Sequence, residues 1–231
     1  MSPAGRFGDL VLEVLGEQAS EGRAAASSIT SWIDAVASWN QQMDLTAARD
    51  DRELVDLMVA DAAVLAAAVG PPSGDRRRTV VDVGSGAGPP GLPLGLLRAD
   101  LEMTLVEPKQ KRAALLRMTL GRLGSAAAQG GETAVARPRI QVLQARGEAV
   151  QGRFDVALSR ATLAPPAWLE LGAKLAPDGD VWVLLAREDA PELEGWHQVR
   201  QIAYRWPLTG AERRAVCYRV RSPAPRETLP S

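Results

Sequence analysis

The feature that most constrains the fold of this chain is a hydrophobic run that breaks directly into glycines. The sequence VVDV at residues 80–83 is followed by GSGAG at 84–88 and by PPGLP at 89–93. A buried parallel strand that turns tightly into a helix shows this change, because glycine tolerates positive φ and leaves the backbone open to a ligand. The segment therefore predicts a nucleotide-binding loop in an α/β sheet.

Spacing within this loop narrows the choice of ligand. The dinucleotide fingerprint Gly-x-Gly-x-x-Gly requires a third glycine where this chain has Pro89, and no Gly-Lys-Ser/Thr follows to form a phosphate loop. An acid, Glu107, ends the next apolar run. This order is typical of proteins that bind S-adenosylmethionine (AdoMet), in which a carboxylate at this place accepts hydrogen bonds from the ribose hydroxyls. An ordinary glycine-rich turn with Glu107 as a surface acid is the alternative.

Composition limits the class of protein. With 231 residues, 46% of them hydrophobic, the chain can bury one large core and a small extension. We expect a helical extension over residues 1–70 and an AdoMet-binding domain over 75–223. The longest apolar run, 62–69, is much shorter than the ~20 residues that cross a bilayer. One cysteine and one histidine do not suggest a metal site. A cytoplasmic monomer without membrane or metal contacts is expected.

Predicted elements alternate in the order of a doubly wound α/β fold. Strands are expected at 79–83, 102–107, 139–144, 154–158 and 181–185, with helices between them and a loop at 125–133. The segments 199–206 and 215–220 read as a closing antiparallel hairpin. Together they predict a Rossmann-like, mostly parallel seven-stranded sheet preceded by an N-terminal helical extension, and the closing hairpin fits methyltransferases better than dehydrogenases.

The segment before the sheet reads as two amphipathic helices. Ser27 or Ser28 is expected to cap the first helix, residues 44–46 to end it, and Asp50 or Asp51 to cap the second. Asp61 lies on the apolar stripe of that second helix. A carboxylate there is costly unless it is paired, so we expect it to reach an arginine, a backbone amide or a substrate group.

The residues around the predicted strand ends discriminate among methyl acceptors. Methylation of a pyrimidine C5 needs a cysteine nucleophile, but Cys217 lies in a core-like strand, and the sequence LSRA at 158–161 replaces the Asn/Asp-Pro-Pro-Tyr/Phe turn used for adenine amines. A guanine N7 has a free lone pair and no proton to lose, so it needs orientation rather than a general base. Arg160 is a candidate for that task, and pairing with a carboxylate such as Asp82 is its structural alternative.

An ordered set of motifs resembles the bacterial small-subunit rRNA guanine-N7 methyltransferase family, RsmG (also called GidB). The motifs are Trp39-Asn40 with Leu45-Thr46 and Arg49-Asp50, the segment 82–94, Lys111-Arg112, Arg146-x-Glu148, Phe154-Asp155, Ser159-Arg160-Ala161 and Gly210-x-Glu212-Arg213. The resemblance covers roughly residues 30–220. It implies a class I AdoMet-dependent methyltransferase fold with AdoMet as methyl donor. As acceptor it implies a guanine in the decoding-region loop of 16S rRNA, either naked or in a small-subunit assembly intermediate.

The same resemblance implies roles for individual residues. On the cofactor side these are Gly84, Gly86 and Pro89 at the amino-acid end, Glu107 at the ribose, and Gly147 and Glu148 beside the adenine. Arg160 would contact the cofactor and act as the catalytic residue beside the reacting centre. On the substrate side they are Asn40, Asp61 and Arg213.

The chain differs from the family pattern mainly on the acceptor side. Leu57-Met58 stand where the family has Arg-His before Asp61, Ala186-Arg187 replace a Lys-Gly pair, and Arg214 replaces a histidine. Two alternatives to guanine-N7 methylation follow from these losses of polar groups. One is a catalytically weak AdoMet-binding or RNA-binding paralogue, and the other is a methyltransferase with a different acceptor.

Overall fold

A seven-stranded sheet forms the centre of the structure, a computed structural model that describes residues 5–18, 23–72, 74–129 and 138–221. The strand order is β3-β2-β1-β4-β5-β7-β6; β7 runs antiparallel to both of its neighbours, while β1 to β5 are parallel. The predicted mostly parallel seven-stranded sheet is confirmed. The strands are β1 Arg78–Val83, β2 Leu101–Val106, β3 Arg139–Leu143, β4 Val156–Arg160, β5 Asp180–Leu185, β6 Trp196–Arg205 and β7 Glu212–Val220.

Helices precede the sheet and connect its parallel strands. Their bounds are α1 Gly8–Leu15, α2 Arg23–Met43, α3 Asp51–Val55, a π-helical segment Asp56–Ala60, α4 Asp61–Ala68, α5 Gly91–Leu97, α6 Gln110–Gln129, a 3₁₀ turn Gly147–Ala149 and α7 Pro165–Leu175. Asp50 caps α3 by accepting from the Glu53 amide, as predicted. No helix in the described ranges is long and apolar enough to cross a bilayer.

Two predicted helix boundaries were wrong for the same physical reason. Ser27 and Ser28 lie inside α2, which begins at Arg23, and α6 continues to Gln129 through part of the predicted loop. Alanine runs at 24–26 and 126–128 extend these helices, because alanine has the highest helix propensity. Residues 130–133 of the predicted loop lie outside the described residues.

The N-terminal helices and one face of the sheet share a single apolar core. Phe7, Ile29 and Leu65 belong to the same buried cluster as Val80 of β1. Val81 and Val83 point to the opposite face, into a second cluster with Trp168 of α7, as the alternation of side chains along a strand requires. The division into residues 1–70 and 75–223 stays a prediction.

Buried Asp56 joins the π-helical segment to the β6–β7 turn. Its carboxylate is fully buried and accepts hydrogen bonds from the amide and hydroxyl of Thr209 (both 2.8 Å) and from the Leu208 amide (3.2 Å). These donors offset the cost of removing the charge from water. The turn, and with it the hairpin, is thereby fixed against the N-terminal helices.

Buried Asp82 joins the end of β1 to the start of α5. Its Oδ2 atom accepts from the Gly91 amide (3.2 Å), and a Cβ at Gly91 would lie 2.6 Å from the same oxygen. Complete burial raises the pKa of Asp82 from 3.8 to about 7, against the lowering effect of its hydrogen bonds. The glycine loop between these two residues is therefore tied at both ends.

Replacing Asp56 with alanine removes the acceptor for the turn amides. We expect the free energy of unfolding, measured in urea, to fall by about 1.5–3 kcal/mol. Asp56→Asn, which keeps one acceptor oxygen, should lose less. Equal stability of Asp56→Ala and the wild type would contradict this role.

The titration of Asp82 should make stability depend on pH. Since its pKa is raised in the folded state, its stabilising contribution is complete below its ordinary pKa and is lost as the pH rises through about 7. Between roughly pH 5 and pH 8, the unfolding free energy of the wild type should fall relative to Asp82→Asn by about 2–3 kcal/mol. A difference that does not change with pH would contradict a neutral, buried Asp82.

Candidate active site

Loops at the carboxyl edge of the parallel strands form the candidate site. The ends of β1, β2, β4 and β5 lie side by side at this edge, which is where open α/β sheets bind ligands. Two adjacent cavities lie here. The β1–β3 groove is lined by Gly84, Gly147 and Glu148 among others, and the β4–β5 cavity is lined by residues that include Asp61 and Arg160.

The glycine loop after β1 adopts conformations that side chains disfavour. Gly84 and Gly86 have φ values of +79° and +58°. The amides of Gly84 and Ser85 donate to the Val106 carbonyl at 2.8 and 3.1 Å. A Cβ at Gly84 would overlap the side chain of Thr162, whose hydroxyl donates to the Val83 carbonyl (3.0 Å). Glycine is therefore required at Gly84 by the loop after β4, in addition to any ligand.

Glu107 holds this glycine loop against the end of β2. Its side chain is buried, with Oε2 accepting from the Gly86 amide (2.9 Å) and Oε1 from the Lys109 amide (2.8 Å). Each carboxylate oxygen has a further lone pair, so these bonds leave acceptor capacity for ligand hydroxyls. Predicted residues Gly86 and Glu107 are thus in direct contact.

The β1–β3 groove, of about 530 Å³, has the position and lining expected of a nucleoside site. Gly84, Gly147 and Glu148 line it, together with residues from the loops after β2, β3 and β4. A Cβ at Gly147 would come within 2.8 Å of Val83 and Leu171, so this glycine permits close packing below the groove. Three of the cofactor residues predicted from the sequence therefore line this groove.

Four other predicted cofactor residues do not line this groove. Gly86 and Glu107 bond to each other next to it, and Pro89 is buried in the loop before α5. Arg160 lines the neighbouring cavity. The cofactor contacts of these four residues stay predictions.

The β4–β5 cavity, of about 240 Å³, gathers Arg160, Asp61 and Arg213. Its walls come from the ends of β4 and β5, from the helices before β1, and from the β6–β7 hairpin. Leu163 lines both this cavity and the β1–β3 groove, so the two spaces are neighbours. Residues widely separated in the sequence thus meet at one site.

Asp61 connects the walls of this cavity. The residue is only 2% exposed; its Oδ2 accepts from Arg160 Nη1 (3.0 Å), and its Oδ1 accepts from the Tyr204 hydroxyl (2.9 Å) and from Trp206 Nε1 (2.8 Å). The expected arginine partner of Asp61 is confirmed. The structural alternative considered for Arg160, pairing with a nearby carboxylate, is realised with Asp61 and not with Asp82, whose carboxylate bonds to the start of α5.

A second contact fixes Arg160 to the π-helical segment. Arg160 Nη1 also donates to the Leu57 carbonyl at 2.6 Å. π-Helical turns are frequent at functional sites. The Leu57 carbonyl lies in that segment and takes Arg160 as its donor.

At the hairpin wall of the cavity, Tyr204 keeps its hydroxyl proton and Arg213 has a fixed position. Burial and the neighbouring Asp61 carboxylate raise the pKa of the Tyr204 hydroxyl, so it remains a donor. The Arg213 guanidinium lies over the Trp206 ring, 3.8 Å from the ring centroid, and donates to the Glu212 carbonyl (2.7 Å). The stacking of one face of the planar guanidinium on the Trp206 ring holds the group beside the cavity.

Asn40, the remaining predicted substrate residue, lines neither cavity. Its Oδ1 accepts from the amides of Leu45 (2.7 Å) and Thr46 (2.9 Å), which follow the end of α2. The Trp-Asn and Leu-Thr motif therefore builds a turn in this structure. The substrate contact of Asn40 stays a prediction.

Sequence reasoning did not identify several residues at the site. Tyr204 and Trp206 are two residues apart at the end of β6, so their side chains point to the same face. Two aromatic residues with polar groups at this spacing could have indicated a site. Thr162, Leu163 and Glu188 lie in loops with no distinguishing pattern. Across the ranges described by the structure, no three His, Cys, Asp or Glu side chains form a group able to hold a metal ion.

Known proteins resemble this chain over most of its length. The family described as rRNA small subunit methyltransferase G (GidB) matches residues 25–205. The protein named ribosomal RNA small subunit methyltransferase G from Halorhodospira halophila is 36% identical to this chain, and the match covers 73% of each of the two chains. The protein of the same name from Anaeromyxobacter dehalogenans is 31% identical, and the match covers 82% of this chain and 86% of that protein.

Among solved structures, MtNAS in complex with MTA and tNA has a similar fold. It is 14% identical, with a TM-score of 0.50, and the match covers 87% of this chain and 72% of that one. This similarity concerns the fold alone. By its sequence, the chain belongs to the GidB family of rRNA small subunit methyltransferases.

Proposed function

We propose that this protein transfers the methyl group of AdoMet to N7 of a guanine in 16S rRNA, acting as a cytoplasmic monomer on naked rRNA or on a small-subunit assembly intermediate. Family membership supports the reaction class. The observation that carries the proposal is Arg160, fixed by Asp61 and by the Leu57 carbonyl in a cavity that adjoins the β1–β3 groove.

The groove side would hold the methyl donor. Gly84 and Gly86 would leave room for its amino-acid end, Glu107 would accept from the ribose hydroxyls, and Gly147 and Glu148 would flank the adenine. AdoMet supplies a methyl group on a sulfonium, so the N7 lone pair forms the new bond as the carbon–sulfur bond breaks, and no proton leaves the base. The protein must therefore align the reactants and exclude water.

The cavity side would hold one guanine taken out of its stack. Arg160 donates to Leu57 and Asp61 only through Nη1, so Nε and Nη2 are free of hydrogen bonds to the described residues. Those N–H groups can donate to guanine O6, the neighbour of N7. The outer face of Arg213, stacked on Trp206, offers a platform for the base.

A different acceptor is the second candidate function. Leu57 lines the cavity with an apolar side chain where the family pattern has a polar one.

Mapping the methylated nucleotide separates the two candidates. Small-subunit rRNA from cells with and without the gene is reduced with borohydride and cleaved with aniline at N7-methylguanine. Loss of one cleavage site on deletion supports the proposal, and an unchanged pattern contradicts it.

Arg160→Lys should lower the rate of methyl transfer by about 100-fold, since lysine cannot contact Leu57, Asp61 and the base together. The melting temperature should stay near the wild-type value, because lysine keeps a positive charge beside Asp61. The matched control is Arg153→Lys, at an exposed arginine paired with Asp178 before β4, which should keep full activity. Wild-type turnover by Arg160→Lys would remove this residue from the mechanism.

Glu107→Ala should weaken AdoMet binding, measured by calorimetry, by about 1–3 kcal/mol. The substitution removes the acceptor proposed for the ribose and releases the Gly86 amide. Glu102→Ala, at a partly exposed acid on β2, the strand that Glu107 follows, is the control and should bind normally. Unchanged affinity in Glu107→Ala would show that this carboxylate does not contact the donor.

A further inference from the structure

Glu188 lies at the β4–β5 cavity without a role in the interactions described above. It follows β5 by three residues and lines the cavity together with Arg160 and Arg213. The family resemblance assigns nothing to this position. The groups that hold this carboxylate determine whether it is ionised and whether it can accept hydrogen bonds from a ligand.

The backbone of its own turn holds the Glu188 carboxylate. Its Oε2 accepts from the amides of Ala186 and Arg187, both at 3.2 Å. Hydrogen bonds from the amides of Glu188, Arg187 and Ala186, in that order of effect, lower the pKa of the carboxyl, so it is ionised at neutral pH. In the described parts of the chain, Glu188 forms no salt bridge and its Oε1 has no hydrogen-bond donor. Glu188 is exposed, so this second oxygen lies at the cavity without a protein donor in the described residues and is available to a ligand.

We propose that Glu188 recognises the Watson–Crick edge of the target guanine by accepting hydrogen bonds from N1–H and the N2 amino group. This assignment rests on the proposed function. Guanine is the only standard base with two adjacent donors on that edge, and an ionised carboxylate only accepts. Adenine presents the N1 lone pair at the same place, which a carboxylate repels. The residue would therefore select guanine.

The proposed contacts follow the order of groups around the purine ring. From N7 the ring edge presents O6, then N1–H, then the N2 amino group. Arg160 as donor to O6 and Glu188 as acceptor for N1–H and N2–H use neighbouring groups and leave N7 uncovered. Both residues line the same cavity, and Leu163 connects that cavity to the β1–β3 groove.

The same contact would also accelerate the reaction. When N7 forms its bond to carbon, the purine ring gains positive charge, and N1–H and N2–H become stronger donors. A carboxylate on that edge then interacts more strongly with the transition state than with the ground state. Glu188 should therefore contribute to the maximal rate as well as to base selection.

Replacing the target guanosine with inosine, which lacks the N2 amino group, tests the assignment. The substrate is a small subunit reconstituted with 16S rRNA that carries either base at the target position. For the wild type, kcat/KM for methyl transfer should fall roughly 10- to 100-fold with inosine. In Glu188→Ala, the guanosine rate should fall by a similar factor, and the ratio of guanosine to inosine should approach one.

Controls separate this assignment from misfolding and from the proposed function. Melting temperature and AdoMet affinity of Glu188→Ala should match the wild type. Glu194→Gln, an exposed acid on the same β5–β6 connection and outside the cavity, should keep the wild-type ratio. A wild-type guanosine-to-inosine ratio in Glu188→Ala would overturn the assignment of Glu188 alone. Failure of the wild type to methylate the guanosine substrate would instead overturn the proposed function.

Discussion

The carboxylate of Asp61 lies buried between three elements that are far apart in the sequence. It accepts hydrogen bonds from Arg160 at the end of β4 and from Tyr204 and Trp206 at the β6–β7 hairpin. A buried carboxylate without these donors would be strongly unfavourable, and loss of one partner would leave an uncompensated charge. The N-terminal helices, the sheet edge and the hairpin are therefore coupled at the wall of the candidate acceptor cavity.

The contacts of Arg160 do not depend on the side chains of Leu57 and Met58, where the sequence resemblance predicted an Arg-His pair. Arg160 is held by the Leu57 carbonyl, a main-chain group that does not depend on the side chain, and Met58 is buried in the core. The π-helical segment supplies the carbonyl at this point. Substitution at these two positions changes the cavity lining but keeps the contact that orients the guanidinium. Apolar side chains at these two positions are therefore compatible with an intact wall of the candidate acceptor cavity.

Local sequence patterns were sufficient to predict the individual strands, the glycine loop and the Asp50 cap, because each depends on residues close together in the chain. The partner of Arg160 was not predictable in this way, since Asp61 and Asp82 were both plausible carboxylates. The choice depends on the direction of each side chain: Asp82 faces Gly91 on α5, whereas Asp61 faces the hairpin. Tyr204, Trp206 and Glu188 reach the site only through the sheet topology, which brings the hairpin and the β5–β6 connection beside β4.

Complementation with Asp61→Asn tests the central claim that the wall organised by Asp61 is the guanine acceptor site. Cells lacking the gene would express wild-type protein or this variant, and N7-methylguanine in 16S rRNA would be quantified by borohydride and aniline cleavage. We predict that the wild type restores the cleavage site, whereas Asp61→Asn, with melting temperature and AdoMet affinity verified on purified protein, restores about a tenth or less. Full restoration of the site by a folded Asp61→Asn protein would contradict the account.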